Sequence, residues 1–431
     1  MRYAWIFAFA LRLAAAAEHG PAEVLSRMTG KVMAGIRHIP NYTCVETVSR
    51  QYFRPAANRL PRACEEVLET RRHPTLDMVL RRFATDRLRL DVAMTQQGEI
   101  FSWVGASRFD DESIDHIVRH GPMGTGAFGA MLFVIFESDV KKFTFAGKKV
   151  VEGRSLFEYS FQVPMPESHY KVKVGKSWAY TGYSGTIQVD PETDELVGLR
   201  VETAELSPAT GECLSVSNLE FGIVQIGDAP FLLPKLSHQR FVSPTGDEVE
   251  NTTEFANCRE YRGESTVSFE EPSPMAGNPT LSTPEKTIAV PGGSRFSFEL
   301  TQPISGDGAA AGDRFMGRLI QPLRDMRQKV LAPKGTLVEG RLLRVESFHK
   351  PPEVVVVLRP DALEINGSKV PVTAVLDRSQ VMMKARIEDR KKMVFSLPQP
   401  GEEHSGLFRF RGEHARIPKG FQSDWLVVSA K

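Results

Sequence analysis

The stretch "NYTCVETVSRQYFRPAANRLPRAC", residues 41–64, begins with a strict alternation of side chains that is typical of a β-strand. One face of this strand would carry Tyr42, Cys44, Glu46 and Val48. Residues 86–95 repeat the alternation, with an apolar face made of Leu88, Leu90, Val92 and Met94. A turn-like "QQGE" and the segment "GEIFSWVG" follow, so we expect consecutive antiparallel strands.

Upstream of this stretch the residue period is that of a helix. Pro21 suits a first helical turn, and apolar residues recur at helical spacing as Val24, Leu25, Met28, Val32, Met33 and Ile36. This pattern predicts one amphipathic helix whose apolar stripe packs on a core.

Downstream, short segments with β-like alternation follow one another to residue 262, and Asp190-Pro191 opens a hairpin turn between two of them. Residues 263–286 contain four prolines and are predicted to be a linker. A second β-rich unit is expected at 287–431, where Pro291–Gly293 and Pro333–Gly335 look like type II turns that launch strands. The predicted fold class is therefore mainly β, with some helix (α+β).

The N-terminus resembles a secretory signal peptide. Arg2 precedes an apolar run from Tyr3 to Leu11, and small residues end at Ala17, after which we expect cleavage. A short buried helix is the alternative interpretation. No run of eighteen apolar residues follows, so we expect residues 1–17 to be the signal peptide of a periplasmic or secreted protein, with no transmembrane span after cleavage.

The charge balance excludes some partners. The chain has 54 Lys and Arg residues against 53 Asp and Glu residues, a net charge of +1, which argues against a protein built around nucleic acid or an anionic bilayer. With 431 residues the chain is long enough for two domains.

The chain has four cysteines: Cys44, Cys64, Cys213 and Cys258. An even number of cysteines in an exported chain indicates disulfides, because exported proteins meet an oxidising compartment. Three pairings are possible; Cys44 with Cys64 and Cys213 with Cys258 is favoured, because each pair lies within one local segment. A zinc site is disfavoured, since no C-x-x-C occurs and no cysteine has a histidine at ligand spacing, so no metal is expected.

A glycine-rich segment, "GPMGTGAFG", leads into the apolar residues 131–136. We expect it to be the hinge of a lid helix, with Gly121, Gly124, Gly126 and Gly129 supplying the freedom. A plain buried helix is the alternative. Ligand-cavity candidates are the aromatic residues Trp103, Phe133, Phe136, Phe145, Phe157, Tyr159 and Phe161, for which ordinary core packing is the competing interpretation.

No catalytic residues are predicted. His116 and His120 are four residues apart on a predicted helix, but no third ligand is evident and an exposed polar face explains them better. The acidic residues Asp110, Asp111 and Glu112 suit a helix start. The glycine-rich segment lacks the G-K-[ST] of a phosphate loop, no G-x-S-x-G is present, and no cofactor is expected.

The order of helix, strand meander, glycine-rich insertion and further meander, with "TIQVDPETDELVGLRVE", resembles the half-open β-barrel of the LolA-like outer-membrane lipoprotein carrier family over residues 20–262. The resemblance implies a curved antiparallel sheet with a helical lid that shelters acyl chains or another hydrophobic ligand. It implies a non-enzymatic function and a hydrophobic small molecule or lipid as partner.

Residues 284–377 resemble the small β-barrel of the TrbI-like conjugation-channel proteins, through the two Pro-x-Gly turns and "AGDRF" at Ala311–Phe315. This resemblance implies an interaction module for an envelope protein. Two alternatives to the carrier remain: a structural or interaction protein with a filled barrel, and a secreted hydrolase. The chain would thus comprise a half-barrel domain at 18–262 and a barrel domain at 287–431.

Overall fold

A computed structural model describes the protein over residues 19–38, 40–56, 60–73, 79–95, 98–106, 109, 114–118, 121–138, 143–174, 177–204, 206–260, 289–325, 327–377, 402–412 and 416–428. These residues form mostly antiparallel β-sheet with few helices, which confirms the predicted fold class. The proposed signal peptide and linker lie outside the described residues, as do Asp110, Asp111, Glu112 and His120.

The first part of the chain contributes twelve of the described strands. They are β1 (Tyr42–Pro55), β2 (Leu80–Thr95), β3 (Gly98–Trp103), β4 (Thr144–Val151), β5 (Arg154–Val163), β6 (Lys171–Val174), β7 (Ser177–Tyr180), β8 (Gly182–Asp190), β9 (Glu195–Ala204), β10 (Leu214–Ile226), β11 (Ala229–Val242) and β12 (Glu248–Glu260).

The helices of the same part are short apart from the first. They are α1 (Pro21–His38), α2 (Cys64–Arg72), α3 (Ile114–Ile117) and α4 (Ala130–Phe133), with a π-helical turn at Val134–Ser138 and 3₁₀ turns at Met165–Glu167 and Pro208–Thr210. The predicted amphipathic helix is confirmed as α1, which buries Val24, Met28, Val32 and Met33.

Ten strands form one curved antiparallel sheet in the order β3-β2-β1-β12-β11-β10-β9-β8-β5-β4. From β8 to β12 each strand pairs with the next in sequence, as the meander predicts. The pairing of β1 with β12 is different, because it joins the start of the unit to its end. Helix α1 packs on the concave face against β8, β9 and β11, and α4 packs against α1.

The predicted disulfide pairing is wrong. The bonds are Cys44–Cys258, with 4.0 Å between Cα atoms, and Cys64–Cys213, with 5.0 Å. Because β1 lies beside β12, Cys44 is adjacent to the end of the unit rather than to its own loop. Cys64 begins α2, whose Val67 packs against β10 and β11. Both bonds therefore connect sequence-distant parts of the sheet, which an argument from local segments does not detect.

The second part of the chain contributes the remaining described strands. They are β13 (Arg295–Leu300), β14 (Ile304–Ser305), β15 (Arg314–Leu319), β16 (Leu323–Arg324), β17 (Val330–Ala332), β18 (Leu337–His349), β19 (Pro352–Ile365), β20 (Ser368–Pro371), β21 (Ala374–Leu376), β22 (Gly406–Arg411), β23 (Arg416–Ile417) and β24 (Gln422–Val427).

These strands close into a small barrel. The ring runs β13-β15-β18-β19-β20, continues along the chain from β20 into β21, and returns through β24 to β13. Its interior is a single apolar cluster in which Phe298 stacks on Trp425 with ring centroids 6.0 Å apart. The two predicted turns launch β13 and β18, and Gly293 and Gly335 have φ values of +83° and +88°, as type II turns require.

The two parts share hydrogen-bonded sheet. Strand β18 pairs with β2 over Glu346–Asp86, Ser347–Thr85 and Phe348–Ala84. The segment before β15 adds two backbone bonds, Arg89 N to Ala311 O and Ala311 N to Arg87 O, each 2.8 Å. The barrel is thus joined edge-on to the half-barrel at β2.

Candidate functional site: the covered concave face

A glycine-rich segment, residues 121–129, crosses the concave face of the half-barrel, and we call it the strap. It is held by side chains from three strands. Asn251 Nδ2 donates to Pro122 O at 2.9 Å, and Gly124 N donates to Gln239 Oε1 at 3.2 Å. Glu99 accepts hydrogen bonds from the N–H groups of Gly126 and Phe128, at 2.6 and 2.9 Å. Apolar packing adds to these contacts, because the buried Phe128 packs edge-on against Tyr42 and Phe255, with ring centroids 5.9 and 4.8 Å apart.

Two of its glycines are needed for close approach. A Cβ on Gly121, where φ is +72°, would lie 2.4 Å from Tyr52 Oη, and a Cβ on Gly124 would lie 2.0 Å from Gln239 Nε2. Gly126 also has a positive φ, and Gly129 approaches the end of the Met94 side chain. Gly121 and Gly124 therefore allow the strap to lie close to the sheet. The hinge role of the four glycines stays a prediction.

Beneath the strap runs a row of polar side chains that crosses the sheet. Directly opposite residues of neighbouring strands project from the same face, so one register line places six of them side by side. We call them the polar row: Ser217, Gln239, Asn251, Arg50, Asp86 and Glu346. The row begins on β10 and ends on β18 of the C-terminal barrel.

The centre of the polar row is a buried ion pair. Arg50 and Asp86 are 2% and 6% exposed, and Arg50 Nε and Nη2 donate to the two carboxylate oxygens at 2.7 and 2.6 Å. Tyr52 Oη donates to Asp86 Oδ2 at 3.0 Å. Such two-pronged pairing is the geometry in which a buried charge pair is best compensated.

A second buried carboxyl lies on the same face of β1 as Arg50, four residues earlier in the chain. Glu46 is 4% exposed, and burial, followed by the negative charge of Glu99, raises its pKa to about 8. Burial also raises the pKa of Glu99, although the strap's N–H groups oppose the shift. Tyr42 Oη is buried and has no hydrogen-bond partner among the described residues. Polar groups are thus collected on this half of the concave face.

Glu46→Gln is expected to remove a pH-dependent destabilisation. The pKa of Glu46 is higher in the folded chain than its ordinary value of 4.5, so the folded state binds this proton more tightly and stability falls as pH rises from about 4.5 to about 8. At pH 8 the variant should gain about 1–3 kcal/mol over the parent protein, and at pH 5 much less. Urea unfolding at both pH values measures this. Exposed Glu254→Gln on β12 is the control; an equal gain at both pH values would contradict the assignment.

The other half of the concave face is apolar. Phe157, Tyr159 and Phe161 of β5 are buried with Phe136 in one cluster beneath α1. Phe145 borders this cluster at 5.4 Å from the Phe157 ring but is 40% exposed, and Phe133 on α4 is 46% exposed. Trp103 is separate and packs in the cluster around β1 and β2. The structure therefore brings together four of the seven aromatic candidates, and their role as cavity lining stays a prediction.

Helix α1 covers this apolar half and is fastened at its edges. Arg27 Nε donates to Asp194 Oδ2 at 2.7 Å, and Tyr159 Oη donates to Pro21 O at 2.6 Å. The Asp194 pKa is lowered chiefly by the hydrogen bond from Arg27. The space under α1 is filled by its own Val24, Met28 and Val32, so a ligand would have to displace the helix.

The buried charged residues beneath the strap were not predicted, although the sequence contains a signal for them. Glu46 and Arg50 continue the inward-facing alternation of Tyr42 and Cys44, where apolar residues are expected, and buried charged residues in such a set point to partners across the sheet. Of the two histidines considered as ligands, His116 lies on α3. Among the described residues no cluster of three or more His, Cys, Asp or Glu side chains is arranged to hold a metal ion.

Within the described ranges, no helix combines the length and apolarity needed to span a bilayer. No protein-family model matches the chain, and no curated protein matches it.

Several solved structures are similar at low identity. A DUF1329 family protein from Desulfovibrio piger is 11% identical with a TM-score of 0.25, covering 56% of this chain and 92% of that one. A protein domain named for outer membrane lipoprotein sorting, from Vibrio parahaemolyticus, is 11% identical with a TM-score of 0.25, covering 56% and 93%. A LolA superfamily protein from Nitrosomonas europaea is 8% identical with a TM-score of 0.24, covering 57% and 94%.

Proposed function

We propose that the protein is an exported, non-enzymatic binding protein for an amphiphile with an acyl chain, such as a lipid or the lipid group of a lipoprotein. The ligand is held on the concave face of the half-barrel after α1 and the strap move aside. The apolar chain takes the place of α1 over Phe157 and Phe161, and the polar head lies toward the strap.

One observation carries this proposal: the concave face has two chemically different halves, each under its own cover. The apolar half is buried by α1, and the other half, where the polar row lies beside an apolar cluster that includes Leu90 and Phe101, is buried by the strap. An amphiphile needs this division, because its chain gains by leaving water while its head requires hydrogen-bond partners. The covers are held by apolar packing together with a few side-chain hydrogen bonds, and a ligand's own contacts with the same surfaces can offset both.

The compartment follows from the cysteines. All four are joined in two disulfides, and such bonds persist in oxidising compartments. A periplasmic or secreted location is therefore part of the proposal. The C-terminal barrel is proposed as a separate domain, at 287–431, that binds another envelope protein.

The test is uptake of a fluorescent fatty acid and of a fluorescent phospholipid by the purified chain. The double variant Gln239→Ala/Asn251→Ala removes two hydrogen bonds that hold the strap, and we expect its association rate to rise about thirtyfold, since each neutral hydrogen bond contributes about 1 kcal/mol. Stopped-flow fluorescence measures the rate. His238→Ala is the matched control, because His238 is exposed on the same strand as Gln239.

Two outcomes would contradict the proposal. Absence of uptake by both the parent protein and the double variant, with both folded, would favour a structural protein with a filled barrel. Hydrolysis of acyl esters that is abolished by one serine substitution would favour a hydrolase.

A further inference from the structure

The hairpin of β6 and β7 stands apart from the large sheet. These strands pair with each other as a separate two-stranded sheet. The register places Lys171 opposite Tyr180 and Lys173 opposite Trp178. Opposite residues share a face, so these four side chains form one surface, which we call the hairpin face.

The two aromatic side chains of the hairpin face are largely exposed to solvent. Trp178 is 61% exposed and Tyr180 is 52% exposed, more than any other aromatic side chain among the described residues. Because these two rings are not buried, they contribute little to the stability of the hairpin, and an isolated two-stranded hairpin is only marginally stable. Met165 is 45% exposed, and its backbone lies close to Gly182, just after the hairpin.

The hairpin is nevertheless held in place. Thr181 N donates to Tyr170 O at 3.1 Å across its base, and Tyr170 packs on Tyr183 of the large sheet. Lys173 pairs with Asp115 on α3. Lys171 Nζ lies 5.1 Å from the centre of the Tyr180 ring. The exposed rings are therefore presented by an anchored element.

The hairpin sequence itself is basic, although the Asp115 carboxylate on α3 offsets the charge of Lys173. From residue 168 to residue 189 the sequence has no Asp or Glu, while it places lysines at 171, 173 and 176. The chain as a whole is close to neutral, so composition alone does not reveal this basic segment.

We propose that the hairpin face docks the protein onto a lipid bilayer that carries anionic headgroups. Trp and Tyr side chains favour the boundary between water and acyl chains, because their rings are amphipathic. Lysines beside them are attracted to anionic headgroups. The inference goes beyond the binding of an amphiphile and does not depend on it.

Cosedimentation with vesicles tests the proposal. The probes are vesicles of phosphatidylcholine alone and vesicles of phosphatidylcholine with phosphatidylglycerol in equal parts. We expect the parent protein to bind the anionic vesicles about tenfold more tightly, and high salt to abolish the difference. Trp178→Ala/Tyr180→Ala and Lys171→Glu should each weaken this binding about tenfold. Ile223→Ala, which truncates an exposed side chain on β10, is the control and should bind like the parent protein.

A second readout covers the case in which the double variant disturbs the hairpin. Lipids with a quencher in the upper acyl chain should reduce tryptophan fluorescence of the parent protein, and Trp178→Phe, which keeps an apolar ring, should lose this quenching while it still sediments. Uptake of dispersed fatty acid should be unchanged in all hairpin variants, which separates this proposal from the proposed function. Equal binding to both vesicle types, or anionic binding that hairpin substitutions leave unchanged, would overturn it.

Discussion

Removal of the Cys64–Cys213 bond by Cys64→Ser/Cys213→Ser is expected to lower the free energy of unfolding by about 5 kcal/mol. The bond joins residues 149 apart in sequence, and in the chain-entropy model a loop of that length gains freedom worth about 5 kcal/mol in the unfolded state. Loss of Cys44–Cys258 should cost somewhat less than its separation of 214 suggests, because the inner bond already shortens the loop that it closes. Urea unfolding of each double variant measures both costs.

Peptide mapping without reduction supplies the control for this prediction. It should recover peptides that join Cys44 to Cys258 and Cys64 to Cys213. Peptides that join Cys44 to Cys64 would show that the local pairing forms, and the large costs would then have no basis. Reduction of the parent protein removes both bonds and should cost more than either double variant.

Asp86→Ala is expected to destabilise the protein by about 3–5 kcal/mol, because it leaves Arg50 buried without its charge partner. It also removes the acceptor of the Tyr52 hydroxyl. Thermal and urea unfolding measure the loss. The matched control is Glu202→Ala, which breaks the Arg200–Glu202 pair, where both side chains are more than 40% exposed, and should cost at most about 1 kcal/mol.

A companion variant separates the buried charge from packing. Arg50→Met/Asp86→Leu replaces the pair with apolar side chains and should recover most of the stability that Asp86→Ala loses. If Asp86→Ala costs no more than the exposed control, Arg50 is not confined as the structure indicates.

The periodic parts of the fold could be predicted from the sequence. The apolar stripe from Val24 to Met33 predicts α1, and the alternation in residues 86–95 predicts both the strand and its inner face. The turns at Gly293 and Gly335 could also be predicted, because their backbone geometry depends on a few neighbouring residues. These features are local, so the sequence carries them directly.

What could not be predicted depends on strands distant in sequence. The pairing of β1 with β12 brings Arg50 beside Asn251, and the pairing of β2 with β18 brings Asp86 beside Glu346. No local pattern encodes those neighbours, so the disulfide pairing was wrong and the polar row was missed. The close approach of Gly121 to Tyr52 and of Gly124 to Gln239 also depends on sequence-distant neighbours, and the hinge role of these glycines stays a prediction.

The edge-on junction of β2 and β18 offers a path for mechanical load between the two parts of the molecule. A pull on the C-terminal barrel is transmitted by backbone hydrogen bonds to the strand that carries Asp86, and from there to Arg50 under the strap. If an envelope partner binds the barrel while the hairpin face binds a membrane, we expect tension between the two attachments to reach the strands beneath the strap through this junction.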